Sequence, residues 1–159
     1  MKVGNYLNNL HAVQKIVDNS DVITDMVNSL CGQHLGDGLY RSVYEYQLDH
    51  NYVIKLEGAS TNCNLVEYLM WEEIKGLCND LAWVKEWFAP VKWISPNGRV
   101  LVMRKTVQKD RPRPDKVPKF LWDVKANNFG WIGNKFVCHD YGQFYNFTHY
   151  PKGMQKINW

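Results

Sequence analysis

The stretch Leu121-Trp-Asp-Val-Lys-Ala-Asn-Asn-Phe-Gly-Trp-Ile-Gly-Asn-Lys-Phe-Val-Cys-His-Asp-Tyr-Gly142 sets Asp123, Lys125 and Asn128 in the spacing Asp-x-Lys-x-x-Asn, ahead of two short apolar runs. Gly133-Asn134 between those runs predicts a tight hairpin turn. The second run ends in Asp140-Tyr141-Gly142, so the hairpin carries acidic and amide groups at both mouths. Two carboxylates, an amide and a lysine gathered there have the chemistry to hold magnesium, steady a transferring phosphoryl group and orient a hydroxyl.

Upstream, Thr106 to Lys119 is basic and carries Pro112, Pro114 and Pro118, which forbid a regular helix. It reads as a solvated connector or, alternatively, as a substrate or partner contact through Lys109, Arg111, Arg113, Lys116 and Lys119. Before it, Pro96-Asn97-Gly98 predicts a turn between a strand over 88–94 and a strand over 99–104. From Leu35 the pattern has period two, with Gly36 and Gly38 in a tight turn. Glycines there let backbone amides approach a phosphate with no Cβ in the way, although two glycines in a hairpin are more often only a turn. Tyr52 to Glu57 is a short strand with Lys55 amid apolar neighbours. Residues 64–77 follow as a helix whose apolar face, Met70, Trp71, Ile74 and Leu77, includes Glu67. A glutamate in an apolar stripe is costly to bury unless it meets a cation, and Lys55 is the expected partner. Glu72 and Glu73 fall off the stripe and read as solvated.

Taken in order, these features resemble the protein-kinase superfamily over residues 33–142: glycine-rich turn, strand lysine, helix glutamate, apolar hairpin, Asp-x-Lys-x-x-Asn, hairpin, and Asp-Tyr-Gly where the family has Asp-Phe-Gly. Short kinase-like proteins of bacteria and their viruses look similar. The resemblance implies an α+β fold: an antiparallel N-lobe sheet with a paired helix over 33–105, after a helical segment over 1–32, and a strongly reduced C-lobe over 106–159. It implies that Gly36, Gly38 and Val43 cover a nucleotide. Lys55, aimed by Glu67, would grip the α- and β-phosphates, and the backbone of Met103 and Arg104 would meet the adenine. Asn128 and Asp140 would hold Mg2+, Lys125 would neutralise the moving γ-phosphoryl group, and Asp123 would orient the acceptor hydroxyl. The implied function is an ATP- and magnesium-dependent phosphotransferase acting on a protein or small molecule. The alternative is a nucleotide-binding module that docks to a partner.

Three departures qualify the match. Arg41 stands where the third glycine would be, and it reads as a phosphate contact or, preferably, as an exposed strand residue. Leu121-Trp122 replaces the usual His-Arg, which removes the arginine that reads a phosphorylated activation segment. Residues 143–159 contain no Ala-Pro-Glu motif, and Phe144, Tyr145, Phe147, Tyr150 and Trp159 are expected to fold back over apolar surface or to form a homodimer contact.

The 159 residues amount to one domain. A hydrophobic content of 45% with 22% charged residues belongs to a globular chain, and the absence of a long apolar run predicts no membrane contact and a place in the cytoplasm. A net charge of +3, dispersed outside Lys105–Lys119, argues against a nucleic-acid surface. Cys31, Cys63, Cys78 and Cys138 lack metal-binding spacing and sit in or beside apolar runs, as four buried, reduced thiols would. Residues 3–17 and 20–30 read as two amphipathic packing helices, the second stopped by Gly32.

Overall fold

The alternating stretches pair into one five-stranded antiparallel sheet. The computed structural model describes residues 20–58, 61–143 and 150–159. Strands β1 (Cys31–Asp37), β2 (Arg41–Tyr46), β3 (Tyr52–Glu57), β4 (Val91–Ile94) and β5 (Val100–Arg104) lie in the order β1-β2-β3-β5-β4. With the helices described below, the fold is α+β. The register sets Lys55 beside Val43 on β2 and Leu101 on β5, and Val53 beside Met103. These five side chains therefore share one face of the sheet. The β4–β5 turn falls at Pro96-Asn97-Gly98, where Gly98 takes a left-handed φ of 73° and the Asn97 side chain accepts the Arg99 N–H at 3.1 Å. The ladder between β1 and β2 slips twice, between Cys31 and His34 and between His34 and Gly36. That between β4 and β5 slips once, between Val91 and Trp93.

Helix α1 (Ser20–Leu30) runs directly into β1. Gly32 is thus a strand residue rather than a helix stop, because the amide of Gln47 already takes the Leu30 carbonyl at 2.9 Å and draws the chain into the sheet. The helix expected over 3–17 lies outside the described residues. Helix α2 (Cys63–Gly76) buries Cys63, Asn64, Glu67, Met70 and Ile74 on one stripe. Glu72 is half-buried and paired with Lys75, and Glu73 is exposed and accepts the Tyr150 hydroxyl at 2.8 Å.

The N-terminus of α2 is capped from a distance. Asn62 makes no side-chain cap; instead the buried carboxylate of Glu57, at the end of β3, accepts the amides of Cys63 at 2.7 Å and Asn64 at 2.8 Å and bonds the Thr61 hydroxyl. A carboxylate on the first amides of a helix satisfies orphan donors and meets the positive end of the helix dipole. Glu57→Ala should therefore cost about 1–2 kcal/mol. Urea unfolding should show it as a lower midpoint at unchanged slope.

Single helical turns at Asn79–Leu81 and Val84–Trp87 lead the chain to the second half. There β7 (Phe129–Ile132) and β8 (Lys135–Cys138) form the hairpin about Gly133-Asn134, with Gly133 at φ 58°, and β6 (Lys116–Pro118) pairs with β9 (Met154–Lys156). The Ala89 amide donates to the Cys138 carbonyl at 2.8 Å, and Val107 bridges Trp131, so the hairpin is sewn to the strand connections of the sheet. One contiguous core runs from Val53 and Met103 through Phe88, Phe120 and Tyr141 to Tyr150. Phe88 stacks on Phe120 at 5.9 Å and meets Tyr141 edge-on at 5.1 Å. Tyr150 and Trp159 do fold back, Tyr150 on Phe120 and Trp159 on Phe129 and Phe136. Phe144, Tyr145 and Phe147 lie outside the described residues.

One expectation is refined and one corrected. The proline-rich strap is exposed over most of its length, as a solvated connector would be, but it is also pinned: the Arg111 guanidinium lies 3.2 Å over the Trp131 ring and donates to the Asn134 carbonyl at 3.1 Å, Lys109 bonds the Gly133 carbonyl, and the strap ends in β6. All four cysteines are free, but only Cys63 and Cys138 are buried. Cys31 is half-buried, and Cys78 is exposed where the chain leaves α2. No helix among the described residues is long and apolar enough to cross a membrane.

Candidate functional site

The centre of the site is a carboxylate with no exposure to solvent, that of Glu67. It faces the sheet because it lies on the buried stripe of α2, one turn before Met70 and two before Ile74. Lys55 reaches it from β3, with Nζ at 3.0 and 2.9 Å from Oε1 and Oε2. Arg41 reaches it from β2 as a fork, Nη1 at 2.8 Å from Oε2 and Nη2 at 3.0 Å from Oε1. The Tyr141 amide donates to Oε1 at 3.0 Å. Burial alone would raise the pKa of this carboxyl, yet Arg41 and then Lys55 outweigh it and hold it down at about 2. Glu67 is therefore ionised and fully satisfied.

The same cations reach the loop after β8. Lys55 Nζ also donates to the His139 carbonyl, and Arg41 Nη2 donates to Asp140 Oδ1 at 2.5 Å. Gly142 makes the approach possible: a Cβ there would stand 2.9 Å from both the Cβ and the carbonyl of Cys63, closer than packed atoms come. Asn64 ties the helix end to the sheet, its amide donating to the carbonyls of Lys55, Gly98 and Arg99 at 3.0–3.2 Å.

In front of this network lies a cavity of about 570 Å3. Gly36, Gly38 and Val43 line it from the first hairpin, Lys55 from β3, Met103 and Arg104 from the end of β5, and Asn128 and Asp140 from the loops flanking the β7–β8 hairpin. Arg41, Lys55, Arg104 and Lys105 face it against Asp37 and Asp140, so its walls carry more positive than negative charge. The missing side chain of Gly36 leaves open space, with no atom within 4 Å of where a Cβ would be. The amides of Arg104 and Lys105 are already spent in the sheet region, on the carbonyls of Pro90 and Asn51, both at 2.8 Å. A smaller cavity of about 130 Å3 adjoins it and shares Gly38, Arg41, Asn128 and Asp140; Asp123 and Lys125 line it. Asp123 bonds Lys125 Nζ at 2.9 Å through Oδ1 and the Asn128 amide nitrogen at 2.9 Å through Oδ2. Eight of the eleven residues singled out in the sequence thus line the larger cavity, Asp123 and Lys125 the smaller, and Glu67 stands behind Lys55.

Magnesium takes hard oxygen donors, keeps several waters, and needs only one or two carboxylates when phosphates supply the rest. The half-exposed carboxylate of Asp140 and the amide oxygen of Asn128, whose nitrogen is spent on Asp123, form such a set. Among the described residues no three acidic, His or Cys side chains gather as a ready-made metal cage. The donors fit a magnesium ion that arrives with phosphate, on condition that Arg41 yields Asp140.

Three contributors carry little sequence signal. Arg41, expected on the exposed side of its strand, is 9% exposed at the side chain and bonds two carboxylates. Burial would lower the basicity of this guanidinium, but Glu67 and Asp140 raise it above the usual arginine range. Asn64 looks like any helix-start residue. His139 precedes Asp140 and aims the carbonyl that Lys55 bonds; its Nε2–H donates to the Asn127 carbonyl at 2.9 Å and its Nδ1 accepts the Thr106 hydroxyl at 2.8 Å. Burial and the Lys55 charge push this imidazole down to about 4. In the unfolded chain it titrates near 6.5, so between those values the unfolded state holds the extra proton. The contribution of His139 to stability is then complete above about pH 6.5 and is lost, by about 3 kcal/mol, as the pH drops to about 4. Urea midpoints measured from pH 7 to pH 5, above the carboxylate range, should show the decline, and His139→Gln should flatten it.

Comparison with family models, with curated proteins and with solved structures finds no match to this chain.

Proposed function

We infer that the chain is an ATP- and magnesium-dependent phosphotransferase of the protein-kinase type, with its sheet and α2 as a kinase-like N-lobe and the part after Lys105 as a reduced C-lobe. One observation carries the inference: Lys55 and Asp140 line a single cavity with the glycine turn, and Asp123 lines a pocket that shares Asp140 with it. The cavity has the volume of a small-molecule site and a surplus of cationic side chains facing an anionic triphosphate. Lys55, fixed by Glu67, meets the α- and β-phosphates, and the turn of Gly36 and Gly38 covers them without a side chain in the way, its Gly38 amide held by the Arg41 carbonyl at 2.7 Å. Magnesium, held by Asp140 and Asn128, would draw off charge from the phosphates. Asp123 accepts or orients the proton of the acceptor hydroxyl, and Lys125, exposed at its tip, neutralises charge on the phosphoryl group in transit. A place in the cytoplasm, where ATP is available, belongs to the same reading.

A second reading is favoured by the Arg41–Asp140 contact, which occupies the carboxylate that a metal needs. On this reading the chain binds nucleotide and works by docking to a partner. Incubation of the pure protein with magnesium and γ-labelled ATP, alone and with small-molecule or protein acceptors, separates the two. Transferred label supports the enzyme. Thermal stabilisation by ATP without transfer supports the docking module, and no effect of nucleotide on either measurement overturns both.

A further inference from the structure

We propose that Arg41 determines how this site takes its ligands: it is an internal cation that competes with a divalent metal for Asp140, so that metal and polyphosphate bind as a linked pair. The polyphosphate half rests on the nucleotide-binding reading above. The metal half stands on the geometry alone.

Arg41 is anchored independently of Asp140, because its two terminal nitrogens grip the two oxygens of the buried Glu67 carboxylate at 2.8 and 3.0 Å. The nitrogen on Oε1, Nη2, also donates to Asp140 Oδ1 at 2.5 Å, and Nη1 lies 3.4 Å from Asn64 Oδ1. Both terminal nitrogens are therefore spent on protein oxygens. A phosphate oxygen reaches Nη2, the nitrogen nearer the loop after β8, by taking the place of Asp140. A metal ion on Asp140 would share the carboxylate with Nη2, which takes a lone pair of Oδ1, and it would stand beside a fixed positive charge. In the ligand-free chain each binding event is opposed by the same contact. Either ligand breaks the contact and so prepares the site for the other, and linkage makes the effect equal in both directions. Arg41 faces both cavities, where such an exchange would occur. Its removal leaves Glu67 paired with Lys55 at 2.9 Å, so substitution does not strand the buried carboxylate.

The test uses Mn2+ alone on the nucleotide-free full chain, with free metal read by electron paramagnetic resonance. Arg41→Gln should bind Mn2+ about 10- to 100-fold more tightly than the parent, the span expected when a cation is removed from contact with a carboxylate. The gain should vanish in the Arg41→Gln, Asp140→Asn double variant. Equal Mn2+ binding by parent and Arg41→Gln, tight in both or absent in both, overturns the proposal, as does a gain that survives the loss of Asp140. If Arg41→Gln does not fold, Arg41→Lys keeps a charge near Glu67 without the fork and should show a smaller gain in the same direction; no gain overturns the proposal. In EDTA, Asp140→Asn should bind ATP more tightly than the parent, and equal or weaker binding overturns the polyphosphate half. If no variant binds ATP with or without metal, the nucleotide-binding reading falls, while the Mn2+ comparison still decides the contest for Asp140.

Discussion

Glu67→Ala is expected to lower stability by about 3–5 kcal/mol, a fall of about 10–15 °C in Tm for a chain of this size. The carboxylate is fully buried and is the common acceptor for Lys55, Arg41 and the Tyr141 amide. Its removal leaves two cations and a backbone donor in a low-dielectric interior with their main partner gone, and that loss outweighs the packing of the side chain itself. Arg41 keeps Asp140, and Lys55 keeps the His139 carbonyl, which is why the cost stays near the range for one broken buried pair. Lys55→Met should cost less, since Glu67 then retains the Arg41 fork. Thermal melts of the three proteins check the order; a Glu67→Ala variant that melts within 2 °C of the parent, roughly the size of a neutral surface change, would remove the network from any account of the fold.

Asp123→Asn should reduce phosphoryl transfer by about 10²- to 10⁴-fold, the usual contribution of a positioned general base, while ATP affinity stays within about twofold of the parent. Asp123 lines the smaller cavity with Lys125 and is absent from the lining of the larger one. On the proposed function, its loss therefore reaches the acceptor side and leaves the nucleotide side in place. Asp140→Asn should do the opposite in the presence of magnesium and weaken nucleotide binding itself. Labelled-ATP transfer read beside a direct binding measurement distinguishes the two. Identical behaviour of the two variants in both assays would mean that their roles have been assigned wrongly.

Local signals made most of the frame legible. Pro96-Asn97-Gly98 and Gly133-Asn134 each force a turn, and the apolar stripe of α2 fixes which way Glu67 points. A charge inside such a stripe needs a countercharge, so Lys55 was the readable half of the hub. The other half was not readable. Arg41 is one arginine on an alternating strand, and its partners lie 26 and 99 residues away, where no periodicity reports them. Glu57 reads as the end of a strand, although its carboxylate does the work of a helix cap across the Gly58–Asn62 connection. Three prolines showed that the strap has no helix, but its attachment depends on the Trp131 ring, twenty residues away, under Arg111. Cysteine in an apolar neighbourhood suggested burial at four positions, and the two failures, Cys31 and Cys78, sit where a helix meets the next segment.

The slipped ladders of β1 and β4 have a bearing on how copies of this chain behave at high concentration. Those are the two outermost strands of the sheet, and a border whose spacing is broken is a poor template for a strand from a neighbour. Growth of the sheet from one molecule into the next is thereby discouraged at each margin, and the glycine turn carried by β1 and β2 stays available to whatever enters beneath it.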